Sequence, residues 1–277
     1  MKRLIRPALG CLAACVTLSA CSALTVKDEK DLGHQVQRQV REEFQFVRDS
    51  VILSYVRGIG REVVRASRPS PFEFRFYVVE DEQINAFAIP GGAVYVHTGL
   101  ITAASNAGEL AGVLAHEVGH VTARHVAHLY RRQRNTGVLA QIVSMLIAIV
   151  SGNSYVAQGG QLATGVAAQA YLNTYTQDAE READALAVET LVRAGYDPNT
   201  LITMLQTLQA EAEGGLQMPQ FLRSHPATAE RIQEVRGLIR AQGAIGRLRT
   251  QDRKLPIIQE RIRLIAGMDI DSHRDSE

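Results

Sequence analysis

Residues 106–121 read NAGELAGVLAHEVGHV, and within them His116, Glu117 and His120 form the pattern HExxH. Residues four apart lie on one face of an α-helix, so both imidazoles can reach one metal ion. The glutamate between them lies within a turn of that face, where it can take a proton from water. The pattern therefore predicts a helical metal site with its own general base. The simpler alternative is a pair of solvated histidines on a surface helix.

The residues around the pattern favour a helix. Asn106 and Glu109 have the spacing of an N-x-x-E capping box, which satisfies free backbone N–H groups at a helix start. An apolar stripe follows at helical spacing, formed by Leu110, Val113, Leu114, Val118 and Val121. Gly119 costs about 1 kcal/mol of helix propensity relative to alanine. We therefore expect another element to pack closely at Gly119. Because the two histidines lie along one flank of the apolar stripe, we also expect the metal site to be half buried.

A third metal ligand is expected downstream, because catalytic zinc commonly has three protein ligands and one open position. Residues 178–184 read DAEREAD and predict the start of a helix that ends near Ala194, with Gly195 as its stop. Glu180 and Asp184 share one face of this helix. Glu180 can complete a His-His-Glu site, and Asp184 can accept a hydrogen bond from a ligand imidazole. The alternative is that Glu180 is an ordinary acidic residue of a first helical turn.

Two more motifs complete a resemblance to a known family. Residues 85–92 read NAFAIPGG and lead into VYVHTGLI, and Ser224-His225-Pro226 is followed by Arg231. Together with HEVGH and AEREADALA, they resemble the zinc metallopeptidase family of HtpX, the Ste-type CAAX prenyl proteases, Oma and BepA. The resemblance covers roughly residues 30–240, with four motifs in the same order.

The resemblance implies both a fold and a set of site residues. The implied fold is a zincin-like core around the HExxH helix. The implied cofactor is one Zn²⁺ per chain, held by His116, His120 and Glu180, with Glu117 as the general base. His225 is implied to lie near the zinc, either as a latch at the open position or as a stabiliser of the oxyanion.

The order of elements predicts a mainly α protein with a small β-sheet (α+β). Residues 72–79, 85–90 and 93–97 are predicted strands, and the chain after Thr98 is predicted to be helical. A strand beside a zinc cleft can bind an extended peptide by pairing with it. We expect this substrate-binding edge at Gly91, Gly92, Ala93, Val94, Tyr95 and Val96. The alternative is an internal strand with no role in substrate binding.

The N-terminus is typical of a bacterial lipoprotein. Lys2, Arg3 and Arg6 precede an apolar run that ends in the lipobox Leu18-Ser19-Ala20-Cys21. Residues 1–20 are thus a predicted signal peptide, and residues 21–26 a tether with acyl chains, palmitate included, on Cys21. Ser22 favours the outer membrane, where aspartate at that position would favour the inner one. The alternative is secretion with an unmodified Cys21.

Cysteine and charge content exclude several classes of protein. Cys11 and Cys15 lie in the signal peptide, so the mature chain would keep only Cys21. That excludes a cysteine protease and a cysteine-ligated zinc site. The signal peptide contains three of the 30 basic residues, so the mature chain would have fewer basic residues than its 29 acidic ones. This balance gives no support for nucleic-acid binding.

Residues 27–242 are the predicted metallopeptidase domain, and residues 243–277 a C-terminal helical extension. The sequence has no 34-residue repeat of the tetratricopeptide type.

Residues 138–150 read VLAQIVSMLIAIV and predict either a buried helix or part of a hairpin that contacts the membrane or covers the cleft. His125 and His128 are expected to point away from His116 as surface or packing residues, and Glu182 is expected on a solvated face.

These features together predict a zinc metalloendopeptidase, lipid-anchored in the outer membrane and facing the periplasm. Its expected substrates are misfolded or unassembled envelope proteins, and its other expected partners are outer-membrane lipid and the envelope assembly machinery. The alternative is a chaperone or assembly factor whose zinc site is latched and proteolytically silent. The intact Glu117 argues against it, because a structural site needs no base. A prenyl-type protease of the inner membrane is disfavoured by the lipobox.

Overall fold

Helices make up most of the described part of the chain, and one small sheet lies beside them. The computed structural model describes residues 24–132, 165–214, 218–243 and 248–274. In chain order its elements are α1 (Val26–Glu43), α2 (Ser50–Ala66), β1 (Arg75–Val79), β2 (Ala86–Ala88), β3 (Ala93–His97), α3 (Thr98–Ala103), α4 (Ala107–Thr122), α5 (His125–Arg132), α6 (Gly165–Ala194), α7 (Asn199–Gly214), α8 (Gln220–Ser224), α9 (Ala229–Ala241) and α10 (Leu255–Arg274). The predicted class, mainly α with a small sheet, is confirmed.

Helix α4 carries the HExxH pattern and is the central element of the core. Its start is fixed by the Asn106 side chain, which accepts from the Glu109 N–H at 3.0 Å. The Glu109 carboxylate accepts in return from the backbone N–H of Ser105 at 2.8 Å, one residue earlier than in a standard capping box. Every residue from Ala107 to Gly119 is buried. The prediction that the metal site on this helix would be half buried is therefore wrong, since His116 and Glu117 are 1% and 2% exposed.

The sheet has the strand order β1-β3-β2, with β1 and β3 parallel and β2 and β3 antiparallel. The prediction that residues 91–96 form an edge strand is wrong, since β3 pairs on both sides. Gly91 and Gly92 lie before the strand, in the turn from β2, with φ values of 88° and 101°. Such angles suit glycine. Alternation along one strand shows which face is buried but not which neighbours it pairs with, so the sequence could not place β3 at the centre.

Helix α6 packs along α4. It ends where predicted, at Ala194, and Gly195 follows with φ 78°. It begins at Gly165, however, thirteen residues before the predicted start. Glu180 thus lies well inside the helix, and the alternative reading of a first-turn acidic residue is wrong. Residues 165–177 contain no glycine or proline stop after Gly165, so the acidic cluster at 178–184 did not mark the boundary.

The close approach expected at Gly119 is present. A Cβ added to Gly119 would lie 3.2 Å from the carbonyl oxygen of Ala183 on α6 and 3.4 Å from its Cα. The Ala183 side chain is fully buried. Glycine opposite alanine lets the backbones of α4 and α6 come together, which brings the side chains of the two helices into one cluster.

We expect Gly119→Leu to lower the free energy of unfolding by about 1–3 kcal/mol, because the added side chain overpacks the contact with α6. The matched control is Gly237→Leu on α9, where no heavy atom of the described residues outside that helix turn lies within 4 Å of an added Cβ. Urea unfolding of both metal-free variants measures the difference. Equal stability of the two variants would contradict the packing argument.

The C-terminal helix α10 shares the core of the rest of the protein. Leu255, Ile258 and Ile262 belong to the same buried cluster as the apolar residues of α4. The Gln259 side chain donates to the carbonyl oxygen of Ala104 at 2.8 Å, just before α4 begins. The predicted extension thus packs against the predicted metallopeptidase domain.

Several predictions concern residues that the structure does not describe. The signal peptide, Cys21 and the apolar stretch 138–150 all lie outside the described residues. Among the described helices, none is long and apolar enough to cross a membrane.

Candidate metal centre

Four side chains from three places in the chain converge beside α4. His116 and His120 come from α4, Glu180 from α6, and His225 follows α8 directly. One potential ligand atom from each lies within 4.8 Å of the others. The shortest contacts join the two α4 histidines, Nε2 to Nε2, at 3.0 Å and His225 Nδ1 to Glu180 Oε1 at 2.8 Å. Glu180 also lies 3.2 Å from Nε2 of each α4 histidine.

The donor set of this cluster fits a divalent metal ion. His116 Nδ1 lies 3.0 Å from Asp184 Oδ1, a carboxylate oxygen that can only accept. In the neutral ring, the form that a metal ligand must take, Nδ1 carries the hydrogen and Nε2 directs its lone pair into the cluster. There it meets His120 Nε2 and the Glu180 carboxylate, so two imidazole nitrogens and a carboxylate point at one small volume. Such an arrangement of electron pairs requires a shared proton or a cation, and two histidines with one glutamate are familiar ligands of zinc.

A buried arginine stands behind the cluster. Arg231, on α9, donates to Asp184 through Nε at 2.6 Å and Nη2 at 2.8 Å, and its Nη1 lies 2.8 Å from Glu180 Oε2. The Arg231 side chain is almost fully buried. Its single positive charge, together with the nearby histidines, keeps the two buried carboxylates ionised. Arg231 was part of the motif that predicted the family, but its role depends on packing between α6 and α9, which the sequence does not reveal.

The pKa values of His116, His120 and Glu180 shift in different ways. Burial lowers the pKa of His116, but the carboxylates of Glu180 and Asp184 outweigh it and raise that pKa to about 9. Burial lowers the pKa of His120 well below its usual value. Burial raises the pKa of Glu180, yet the nearby His225 and Arg231 bring it well below its usual range. Glu180 is therefore a carboxylate at neutral pH, as a metal ligand must be.

Glu117 lies beside the cluster without joining it. Its Oε2 accepts the backbone N–H of Ala88, in β2, at 2.9 Å. Its Oε1 lies 3.4 Å from His225 Nε2 and has no hydrogen-bond partner among the described residues. Burial raises the pKa of the Glu117 carboxyl. One oxygen is thus held by the sheet while the other is free to take up a proton, which suits a general base.

His125 also belongs to this site, which contradicts the prediction that it points away. Its Nδ1 lies 2.9 Å from His120 Nδ1, and its side chain is buried. The prediction extended the helical spacing of α4 past residue 122. In the structure that helix ends at Thr122, Arg124 adopts φ 56°, and α5 starts at His125.

The structure brings together most of the predicted site residues. His116, Glu117, His120, Glu180, Asp184 and His225 are within one buried region. The strand that hydrogen-bonds to this region is β2, through Ala88, whereas residues 91–96 form the turn and the central strand.

Comparison with known proteins adds the family. The sequence model of peptidase family M48 matches residues 54–239. The chain is 32% identical over 219 residues to the beta-barrel assembly-enhancing protease of Yersinia pestis, covering 79% of this chain and 45% of that protein. It is 30% identical over 174 residues to metalloprotease LoiP of Escherichia coli K12, covering 62% of this chain and 65% of LoiP. It is 28% identical over 182 residues to the mitochondrial metalloendopeptidase OMA1 of Schizosaccharomyces pombe, covering 65% of this chain and 51% of OMA1. The chain therefore spans less than half the length of the assembly-enhancing protease.

Proposed function

The chain belongs to peptidase family M48, as its motifs predicted, and from this premise we propose that it is a zinc-dependent metalloendopeptidase. The observation that carries the proposal is the convergence of His116, His120, Glu180 and His225 within 4.8 Å, with Glu117 beside them. A structural site would need the ligands alone. The adjacent buried base, with one oxygen free, supports hydrolysis instead.

His116, His120 and Glu180 are the proposed zinc ligands. Bound zinc would supply Lewis acidity, which polarises a peptide carbonyl and makes water a stronger acid. The protein's own part is to hold the ligands ready. Asp184 accepts the Nδ1 hydrogen of His116 and so keeps Nε2 free, while Arg231 keeps Asp184 ionised.

Glu117 is the proposed general base. Its Oε1 takes a proton from the attacking water and passes it to the amide nitrogen of the leaving group as the peptide bond breaks. The Ala88 N–H holds Oε2 at 2.9 Å and so fixes the direction of Oε1. Since β2 supplies this contact, the sheet positions the base relative to α4.

The proposed location is the periplasmic face of the outer membrane, with lipid on Cys21. The lipobox supports it, as does the similarity to beta-barrel assembly-enhancing proteases. The same similarity supports misfolded or unassembled envelope proteins as substrates, and the envelope assembly machinery as a partner.

We expect Cys21→Ala to move the protein from the membrane fraction to the soluble periplasmic fraction, because two or more acyl chains are what gives stable anchoring. Fractionation of cells that make the wild type or the variant measures this, and mass spectrometry of the N-terminal peptide shows the lipid. Membrane retention of Cys21→Ala would contradict the anchor and leave the peptidase proposal intact.

The test of the proposed activity is cleavage of unfolded casein by the full mature chain. We expect cleavage to stop when a chelator removes the metal and to return with stoichiometric Zn²⁺. Elemental analysis of the purified protein gives the zinc content in parallel. Stoichiometric zinc without any cleavage would contradict the peptidase and favour a chaperone or assembly factor.

One observation favours that second function. His225 Nδ1 lies 3.3 Å from His116 Nε2 and 2.8 Å from Glu180 Oε1, so a fourth side chain could bind the ion that the other three would hold. A permanent fourth ligand would leave no position for water. A fourth ligand that can leave would be a latch on an active enzyme.

We expect His225→Ala to cleave casein faster than the wild type at unchanged zinc content, because the variant cannot close the fourth position. Initial rates at equal zinc loading measure the effect. A loss of about 10²–10³-fold would instead assign His225 to the oxyanion, since that is the cost of removing one such donor.

A further inference from the structure

His125 links the candidate ligand His120 to the protein surface. Its Nδ1 lies 2.9 Å from His120 Nδ1, and its Nε2 lies 3.3 Å from Glu182 Oε2. The His125 side chain is buried, while the Glu182 side chain is 61% exposed. The prediction of a purely solvated role for Glu182 is thus incomplete, because its carboxylate ends a chain of contacts that begins at the metal cluster.

The hydrogens along this chain can be assigned from the donor chemistry. His120 directs Nε2 at His116 and Glu180, so Nε2 is the nitrogen that would bind a metal. The neutral ring then carries its hydrogen on Nδ1 and donates it to His125 Nδ1. His125 in turn carries its hydrogen on Nε2 and donates it to the Glu182 carboxylate. Each donor has an acceptor, and this arrangement fixes the tautomer of His120.

The bend between α4 and α5 places His125 there. A continuous helix would rotate residue 125 by about 140° from residue 120 and point it away. Arg124 interrupts the helix in the left-handed region, with φ 56°, which costs a non-glycine residue about 1–2 kcal/mol. Two hydrogen bonds from its side chain offset this strain: it donates to Glu29 Oε1 at 2.7 Å and to the Leu24 carbonyl oxygen at 2.8 Å.

The anchor of this bend lies in the first described helix. Glu29, on α1, is only 2% exposed, whereas the Arg124 side chain is 33% exposed, so the ion pair between them is partly shielded from water. Removal of Arg124 would leave the buried Glu29 carboxylate without its cation. Helix α1 therefore holds the bend, and the bend holds His125 against His120.

We propose that His125 is a positioning residue that fixes His120 with Nε2 free for the metal, and that the Glu29–Arg124 pair keeps it in place. The proposal rests on the proposed function for the metal itself. It assigns to an imidazole the part that a carboxylate or a backbone carbonyl usually plays behind a ligand histidine.

The test compares zinc affinity in the full mature chain, by competition with a chromophoric chelator. We expect His125→Leu to raise the zinc dissociation constant about 10–100-fold, the usual effect of losing a group that orients a ligand. His125→Gln, whose amide oxygen can accept the same hydrogen, should recover most of the affinity. His34→Leu on α1 is the matched control, because that histidine is exposed and outside the cluster. It should bind zinc like the wild type.

Two further measurements make the outcome decisive. The absorption spectrum of the Co²⁺-loaded protein should change in His125→Leu and return in His125→Gln, which a loss of stability alone would not produce. Arg124→Gly adopts the same φ without strain but loses the contacts to α1, so it should also weaken zinc binding. Thermal unfolding of each metal-free variant checks that it folds.

The outcomes separate this proposal from the proposed function. A wild type that binds no zinc would overturn the proposed function. A wild type that binds zinc, with a folded His125→Leu of equal affinity and unchanged Co²⁺ spectrum, would overturn the positioning role. Equal affinity in Arg124→Gly would overturn the part assigned to α1.

Discussion

Glu117→Gln is expected to keep its zinc and to cleave unfolded casein about 10²–10⁴-fold more slowly than the wild type, the usual contribution of a positioned general base. Glutamine has nearly the size of glutamate, and its amide oxygen can still accept the Ala88 N–H that now binds Oε2. It cannot take up the proton of the attacking water. The candidate zinc ligands are all on other side chains, so the metal content should not change.

The matched control for this prediction is Glu260→Gln. Glu260 is an exposed carboxylate on α10 that pairs with Arg263, so the same chemical change occurs away from the cluster. It should leave both zinc content and cleavage unchanged. A rate for Glu117→Gln within a few-fold of the wild type would rule out Glu117 as the base. Loss of zinc in this variant would show that Glu117 helps to hold the metal.

The parts of the site that the sequence could predict are those set by spacing within one helix. The His116–His120 pair and Glu117 follow from the geometry of a single turn. Gly119 is similar, since a glycine inside an apolar helix already signals close packing, and α6 does pack there. The end of α6 was also predictable, because Gly195 adopts the left-handed conformation that glycine favours at a helix end.

The parts that could not be predicted depend on where the chain turns and what it meets. The sequence pattern of residues 93–97 shows a strand, but its place between β1 and β2 depends on pairing with strands elsewhere in the chain. His125 was misplaced because an arginine, and not a glycine, takes the left-handed conformation that ends α4. The contacts of its side chain with Glu29 and with the Leu24 carbonyl oxygen, about 100 residues earlier in the sequence, stabilise that conformation.

The family resemblance filled part of this gap. His225 lies 109 residues after His116, and no local rule brings the two rings together. The motif containing His225 predicted its presence at the site, and the same motif contains Arg231. Recognising the motif did not indicate that Arg231 would be buried between two carboxylates. Its replacement is therefore expected to have a large effect on stability.

Arg231→Leu is expected to lower the free energy of unfolding of the metal-free protein by about 3–5 kcal/mol, the cost of removing one partner of a buried ion pair. Arg231 neutralises Asp184 through two hydrogen bonds and also contacts Glu180. Without Arg231, the carboxylates of Asp184 and Glu180 would remain buried but would lose their cationic partner. Urea unfolding at neutral pH measures the loss. The matched control is Arg181→Leu on α6, whose ion pairs with Asp178 and Glu234 are solvent-exposed, so its loss should lower the free energy of unfolding far less.

The pH dependence of this loss distinguishes charge from packing. Burial raises the pKa of Asp184, but Arg231 and His116 outweigh it and hold the pKa below the ordinary value of 3.8. A depressed carboxyl pKa stabilises the fold above the unfolded-state value, and this stabilisation is lost as the pH falls through the folded-state value. The difference in free energy of unfolding between the wild type and Arg231→Leu should therefore be largest at neutral pH and should decrease below pH 3.8. A difference that stays constant into acid would assign the effect to lost packing of the long Arg231 side chain, and would remove the electrostatic role given to it here.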